Sequence, residues 1–371
     1  MKVAIVHYWL VNMRGGEKVL EALLEMFPQA DIYTHVCNPK AVSMLIKGRR
    51  VYTSRINRLP FAKKLYQLYM PLMPNALMDF DLQSYDLVIS SESGPAKGVV
   101  PNPNAYHICY CHSPMRYLWD MYHEYLGRTR APVRFFMKQL IPGLRLWDAV
   151  SANMVDRFIA NSGYVAKRIR RCYNREAVVV HPPAEIEKYL AVERKPADYY
   201  LFFGQLAGYK RADIAIEACV KSGRKLVVAG AGAKKKNMVT KKSSLVTFTG
   251  RVSDEEIRKL YASAKALLFP GIEDFGIIPV EAQAAGCPVI AFREGGALET
   301  IKENVTGMFF DEQTPESLIT ALDYFEKKLK FHDRKVFNDH VQKFSKEAFK
   351  ERINKVINER KKVKHKMFQG D

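Results

Sequence analysis

Two glutamates stand eight positions apart in Phe269-Pro-Gly-Ile-Glu273-Asp-Phe275-Gly276-Ile277-Ile278-Pro279-Val-Glu281, a stretch that reads as strand, glycine-containing loop and helix. Pro279 suits a first helical turn, where a missing N–H is no loss. The amides of Gly276, Ile277 and Ile278 are then free to face an anion, and a diphosphate fits there. Glu281, one turn into the helix, would project beside that anion and accept hydrogen bonds from vicinal ribose hydroxyls. Glu273 precedes the turn, on the other side of that anion site. Glutamates at this spacing are common on solvated surfaces, and it is the strand-loop-helix setting that makes these two candidates for a site.

Two clusters in the first half also carry chemistry-bearing residues. Gly15 and Gly16 occupy the first strand-to-helix turn, where bare backbone can approach a phosphate or a second substrate closely, or can simply make a tight turn. His107-Ile-Cys109-Tyr-Cys111-His112-Ser-Pro-Met-Arg116-Tyr-Leu-Trp119 brings two histidines and two cysteines together and invites a zinc reading. Its spacing lacks the C-x2-C turn of structural zinc sites, so a buried strand ending at His112 is the expectation.

These residues must be positioned by strands and helices whose alternation is visible in the apolar pattern. Residues 2–10 read as a strand, and Val19, Leu20, Leu23, Leu24 and Phe27 recur at helical spacing after it. Further strands are expected at 87–90, 106–109, 157–160 and 177–180. His181-Pro182-Pro183 ends this half, because prolines remove donors and disfavour helix in the residue before them. The rhythm then restarts, with strands at 199–203, 225–229, 245–249, 266–269 and 289–292 and helices at 212–220, 254–262 and from about Pro279 to Ala285. The expected fold is α/β, two Rossmann-like, doubly wound parallel-sheet domains facing a cleft, with ligands at the carboxyl ends of the strands. Residues 1–183 form the first domain and 184–353 the second, with a terminal helix of about 354–371 returning to the first.

The Glu273-to-Glu281 motif, with its Phe275-Gly276-Ile277 core, resembles the Glu-x7-Glu signature of glycosyltransferase family 4, and the resemblance extends over nearly the whole chain. It implies the GT-B fold and a retaining transfer in which Glu273 contacts hydroxyls of the transferred sugar and Glu281 the ribose. Phe203-Gly204-Gln205-Leu206-Ala-Gly-Tyr-Lys210-Arg211 is similar to the family's Gly-Arg-Leu…Lys diphosphate clamp, so Lys210 is expected on the leaving group. Cations there stabilise charge that grows as the glycosidic bond breaks. Gln205 stands where the family has arginine, and Arg211 is a candidate substitute for the missing charge. Gly250-Arg251-Val252 falls where the family reads the base, and Gly16 matches its N-terminal glycine loop.

Tyr110-Cys-His-Ser-Pro-Met-Arg-Tyr-Leu-Trp119 is similar to a subgroup that includes bacterial O-antigen and exopolysaccharide mannosyltransferases. This implies that His112 faces the donor sugar. It also implies mannose from GDP-mannose as the transferred group, with UDP-linked sugars as the alternative. On this account the β-phosphate serves as the base, no cofactor or metal is needed, and the product belongs to surface polysaccharide assembly.

At 371 residues, 48% of them hydrophobic, the chain can bury more than one core. Six scattered cysteines suggest reduced thiols, and no apolar run reaches the roughly 20 residues of a spanning helix. A cytoplasmic location is expected. The net charge of +19 favours an anionic partner. Residues 47–77 interleave Arg49, Arg50, Arg55, Arg58, Lys63 and Lys64 with Phe61, Leu65, Tyr66, Leu68, Tyr69, Met70, Leu72 and Met73. That pattern suits an anionic bilayer surface, and equally an amphipathic helix with its apolar side packed inward. Arg128 to Lys138 and Lys361 to Lys366 extend the basic character. The membrane reading implies a peripheral protein on the inner face of the cell membrane and a lipid-linked saccharide acceptor. Nucleic acid would also attract such charge, but no nucleic-acid module is present. A non-catalytic nucleotide-sugar binder is the remaining rival.

Overall fold

The computed structural model describes residues 1–127, 129, 131–232, 243–328 and 334–367. The chain divides into two compact units, Met1–Pro182 together with the segment from Arg352, and Pro183–Glu351. Arg128 and the side chains of Lys361 to Lys366 lie outside the described residues.

Continuous apolar runs such as Val3-Ala-Ile-Val6 suit strands buried on both faces of a parallel sheet. The first unit is built on seven: β1 (Val3–His7), β2 (Asp31–Thr34), β3 (Val51–Thr53), β4 (Leu87–Glu92), β5 (Tyr106–Cys111), β6 (Arg157–Ala160) and β7 (Ala177–Val179). Their order is β3-β2-β1-β4-β5-β6-β7, all pairs parallel. The second unit repeats the plan with β8 (Tyr200–Phe203), β9 (Leu226–Ala229), β10 (Val246–Gly250), β11 (Leu267–Phe269), β12 (Val289–Phe292) and β13 (Gly307–Phe310), in the order β10-β9-β8-β11-β12-β13. These strands too are parallel. Both units are therefore Rossmann-like. In each, the strand order reverses at one place, between β1 and β4 and between β8 and β11, and such switch points are where open α/β sheets bind ligands.

Three strands are additions to the sequence reading: β2, β3 and β13. β2 begins with Asp31, β3 is short with two exposed residues, and β13 begins with Gly307. None presents a long apolar run.

Residues 47–77 do not form one amphipathic helix. Pro60, Pro71 and Pro74 and a left-handed Phe61 (φ 53°) break the segment into short turns, among them Arg55–Arg58, Ala62–Leu65, Tyr66–Leu72 and Met73–Ala76. Ile56, Ala62, Met73 and Ala76 are buried with Val36, while Trp9, Tyr66, Tyr69 and Met70 pack against them. Phe61, Leu65, Leu68 and Leu72 stay exposed, Phe61 at 75%.

A charged cluster is sealed inside the first unit. The Lys97 ammonium, fully buried, contacts the carboxyls of Glu92 and Asp148, themselves fully buried. Glu92 also accepts the Ala96 and Lys97 backbone N–H groups at 2.9 and 2.8 Å. Asp148 accepts from Trp119 Nε1 at 2.7 Å and the Tyr173 hydroxyl at 3.0 Å. Burial opposes the charge on Lys97, but the two carboxyls outweigh it and raise its pKa. This knot joins the end of β4 to the helices Ala131–Ser151 and Gly163–Tyr173. The C-terminal helix Lys346–Met367 buries Phe349, Ile353, Val356 and Ile357, and Glu359 reaches Arg157 of β6 at 3.5 Å.

Candidate functional site

In the second unit the loops after β8 and β11 meet at the switch point. Lys210 Nζ lies 2.5 Å from Glu273 Oε1, with side chains 12% and 18% exposed. Glycines permit this approach. A Cβ on Gly271 would stand 2.6 Å from the Lys210 Cα, and one on Gly296 would stand 2.3 Å from the Phe275 Cα. The Gly296 N–H donates to the Glu273 carbonyl at 2.9 Å, which fixes the backbone that carries the carboxylate. Phe275 is buried beneath, edge-on to Phe344 at 5.5 Å between ring centroids.

Gly276 adopts φ 89° and starts the helix Ile277–Ala284. The helix thus begins two residues earlier than the sequence reading placed it, and Pro279 occupies its third position. Proline is still tolerated there, since the first-turn amides have no intrahelical partner. Ile277 and Ile278 become its first two residues, with amides of the kind that bind anions. The Ile278 side chain and Lys210 Nζ each lie 3.3 Å from the point where a Gly204 Cβ would be, so the loop after β8, the ammonium and this helix start converge. Glu281, half-buried in the same helix, has its pKa raised to about 8, by burial first and then by Glu185 and Asp254, with Lys188 opposing.

The remaining second-unit candidates are placed less directly. Gln205 is exposed. Arg211 has a left-handed backbone (φ 52°) and opens the helix Ala212–Lys221. Its guanidinium binds Asp213 at 3.1 Å and Gln313 at 3.0 Å. Val252 is half-buried against the unit's core, two residues beyond the end of β10.

In the first unit the switch point gathers Gly16 and His112. A Cβ on Gly16 would stand 2.2 Å from the Tyr8 hydroxyl and 3.6 Å from His112 Nε2, so any side chain there would have to displace the Tyr8 ring. Ser91 Oγ lies 2.8 Å from His112 Nε2 and 2.9 Å from His7 Nδ1. Asn161 Nδ2 donates to the His112 carbonyl at 2.9 Å. Ser162 caps the helix Gly163–Tyr173, accepting from the Val165 N–H. His107 faces Ser90 Oγ at 2.9 Å and the Met154 carbonyl at 2.7 Å through its two ring nitrogens. His7, Ser91 and Glu17 were missed by the sequence reading. The signal that finds them is the pairing register of β1 with β4, which sets His7 opposite Ser91.

Residues 13–188 match the family model described as "Glycosyltransferase Family 4", and residues 184–339 match "Glycosyl transferases group 1". One glycosyltransferase model thus matches each half of the chain, and the fold is of the GT-B kind. The GT-B chain is 35% identical over 133 residues to an uncharacterized glycosyltransferase of Methanocaldococcus jannaschii, covering 33% of this chain and 34% of that protein. It is 39% identical over 116 residues to the alpha-1,3/1,6-mannosyltransferase ALG2 of Homo sapiens, covering 30% of this chain and 28% of that one. It thus spans about a third of the length of these curated relatives. Among solved structures, Anabaena HepE in complex with UDP and glucose superposes with a TM-score of 0.68 at 16% identity, over 96% of the GT-B chain and 99% of HepE.

Proposed function

We propose that this chain is a retaining glycosyltransferase that moves a hexose from a nucleotide sugar to an acceptor hydroxyl, and that mannose from GDP-mannose is the preferred donor. The observation that carries the reading is the Lys210–Glu273 pair at the β8/β11 switch point, beside the amino end of the Ile277–Ala284 helix. A diphosphate takes the helix amides and the Lys210 ammonium, freeing the Glu273 carboxylate for sugar hydroxyls, while Glu281 accepts the ribose diol. His112 contributes to holding the transferred sugar. No metal enters this scheme, because the Lys210 ammonium and the helix amides stabilise the leaving diphosphate, whose own oxygen takes the acceptor proton. Mannose is favoured by the likeness to a named mannosyltransferase, while the UDP and glucose bound to HepE keep UDP-sugars as the second reading.

The acceptor in this proposal is a lipid-linked saccharide at an anionic membrane surface, in surface polysaccharide assembly on the cytoplasmic face. Exposed Phe61, Leu65, Leu68 and Leu72 beside Lys63 and Lys64 support it. So does the Ala131–Ser151 helix, which exposes Phe135, Phe136, Leu140 and Leu146. Among the described residues no helix is long and apolar enough to cross a membrane.

The test is a panel of nucleotide sugars screened for thermal stabilisation and for slow donor hydrolysis, in chelator and without it. GDP-mannose is expected to stabilise most, and hydrolysis to survive chelation and vanish in Glu273→Ala and Lys210→Ala variants that keep their fold. Hydrolysis unchanged in both variants would refute the site.

A further inference from the structure

His112 does not stand alone. β1 and β4 pair in parallel with His7 directly opposite Ser91 at their carboxyl ends, and His112 follows β5 beside them. The Ser91 hydroxyl touches two rings, His7 Nδ1 at 2.9 Å and His112 Nε2 at 2.8 Å. A hydroxyl has one proton, so it donates to one ring and accepts from the other. Which way it points is decided at the far end of the row. Among the described residues His7 Nε2 has no hydrogen-bond partner, and it faces Glu17 Oε1 at 3.8 Å. The other Glu17 oxygen already accepts the Arg14 N–H at 2.8 Å, which holds the carboxyl in place. His7, Glu17 and Ser91 are each at most 1% exposed, so the row is sealed from bulk solvent.

We propose that Glu17, His7 and Ser91 are positioning residues that hold His112 as its Nε2–H tautomer and leave its Nδ1 as the acceptor atom. A carboxyl oxygen opposite a ring nitrogen favours a proton on that nitrogen, so His7 carries its proton on Nε2. With the His7 ring neutral, its Nδ1 is an acceptor and takes the Ser91 proton. The Ser91 oxygen accepts in turn, and only a protonated His112 Nε2 can supply the donor. The tautomer is well defined because His112 is neutral: burial, the largest cause, pushes its pKa down to about 3. The ring is bracketed by Tyr110 and Tyr8, with centroids at 5.1 and 6.1 Å. The catalytic consequence rests on the proposed role of His112, since an Nδ1 lone pair accepts a hydrogen bond from a sugar hydroxyl whereas an Nδ1–H would donate one.

Nitrogen-15 histidine spectra of the full chain without donor test the tautomer directly, with His112 and His7 assigned from His112→Gln and His7→Gln. The expected result is a pyridine-like Nδ1 and a pyrrole-like Nε2 for His112. Glu17→Gln should invert it: the amide oxygen keeps the Arg14 N–H, the amide NH2 faces His7 Nε2, and every proton in the row reverses. Ser91→Ala should cut the row and leave His112 as an averaged pair of tautomers. His35 and His107, buried with partners of their own, report retention of the fold in each variant. A pyridine-like Nε2 in the native protein, or a folded Glu17→Gln and a folded Ser91→Ala that both leave His112 unchanged, would overturn the proposal. With a hydrolysable donor, Glu17→Gln should lower kcat by about tenfold or more with little change in KM, as a wrong tautomer does in other enzymes. Complete absence of transferase activity would refute the proposed function and leave the spectral outcome standing.

Discussion

At the scale of single residues, the Lys210–Glu273 contact lets two opposite charges sit in a partly buried loop: each neutralises the other, avoiding the cost of an unpaired buried charge. Removing the ammonium with Lys210→Met should cut donor hydrolysis by roughly 10² to 10³, the effect of losing one preorganised donor to a developing anion. Single-turnover rates check it, and a loss below tenfold would show that the helix amides suffice. Glu281 gives a pH signature. Its pKa of about 8 means that the free carboxyl is largely protonated below that pH, while ribose hydroxyls are bound best by the ionised form. Affinity for a nucleotide sugar should therefore rise as pH increases from 6 to 8, by up to about tenfold per unit, and level off above. Glu281→Gln should flatten the profile in calorimetric titrations. A wild-type affinity that falls over this interval would contradict the assignment.

At the scale of elements, the loop and helix that carry the two glutamates were legible because a strand, a glycine loop and a helix start leave a distinct pattern in Phe269 to Ala291. The helix boundary was less so. Pro279 is compatible with any first-turn position, and the true start is set by the left-handed Gly276. The pairing of the Arg211 guanidinium with Asp213, two residues later, was not part of the sequence reading. The His7–Ser91–His112 row could not be read at all, because it depends on register between strands far apart in sequence. Gly296 shows how closely these elements fit: Gly296→Ala would put a methyl 2.3 Å from the Phe275 Cα. That variant should move the Glu273 loop and lower donor affinity while hydrogen exchange in β1 and β4 stays unchanged.

At the scale of the whole molecule, the charge of +19 and the exposed apolar residues make different predictions for a bilayer. Binding to vesicles containing anionic lipid should weaken steeply as salt rises, because exposed charges are screened beyond about 10 Å at 0.1 M. Phe61→Ser with Leu68→Ser should reduce what binding persists at high salt. Equal binding to neutral and anionic vesicles would exclude the basic surface as the cause. The Lys97 knot makes a separate prediction, for stability. Lys97→Ala leaves two buried carboxyls unpaired and should cost about 3 to 5 kcal/mol, read as a lowered midpoint in denaturant.

The same knot makes Lys97 a built-in clock. An amine that solvent never reaches cannot meet an acylating reagent until the surrounding walls separate, so its modification, followed peptide by peptide in a mass spectrometer, times the opening of the first unit. Exposed amines such as Lys63 and Lys64 would react at once and set the zero of that timescale.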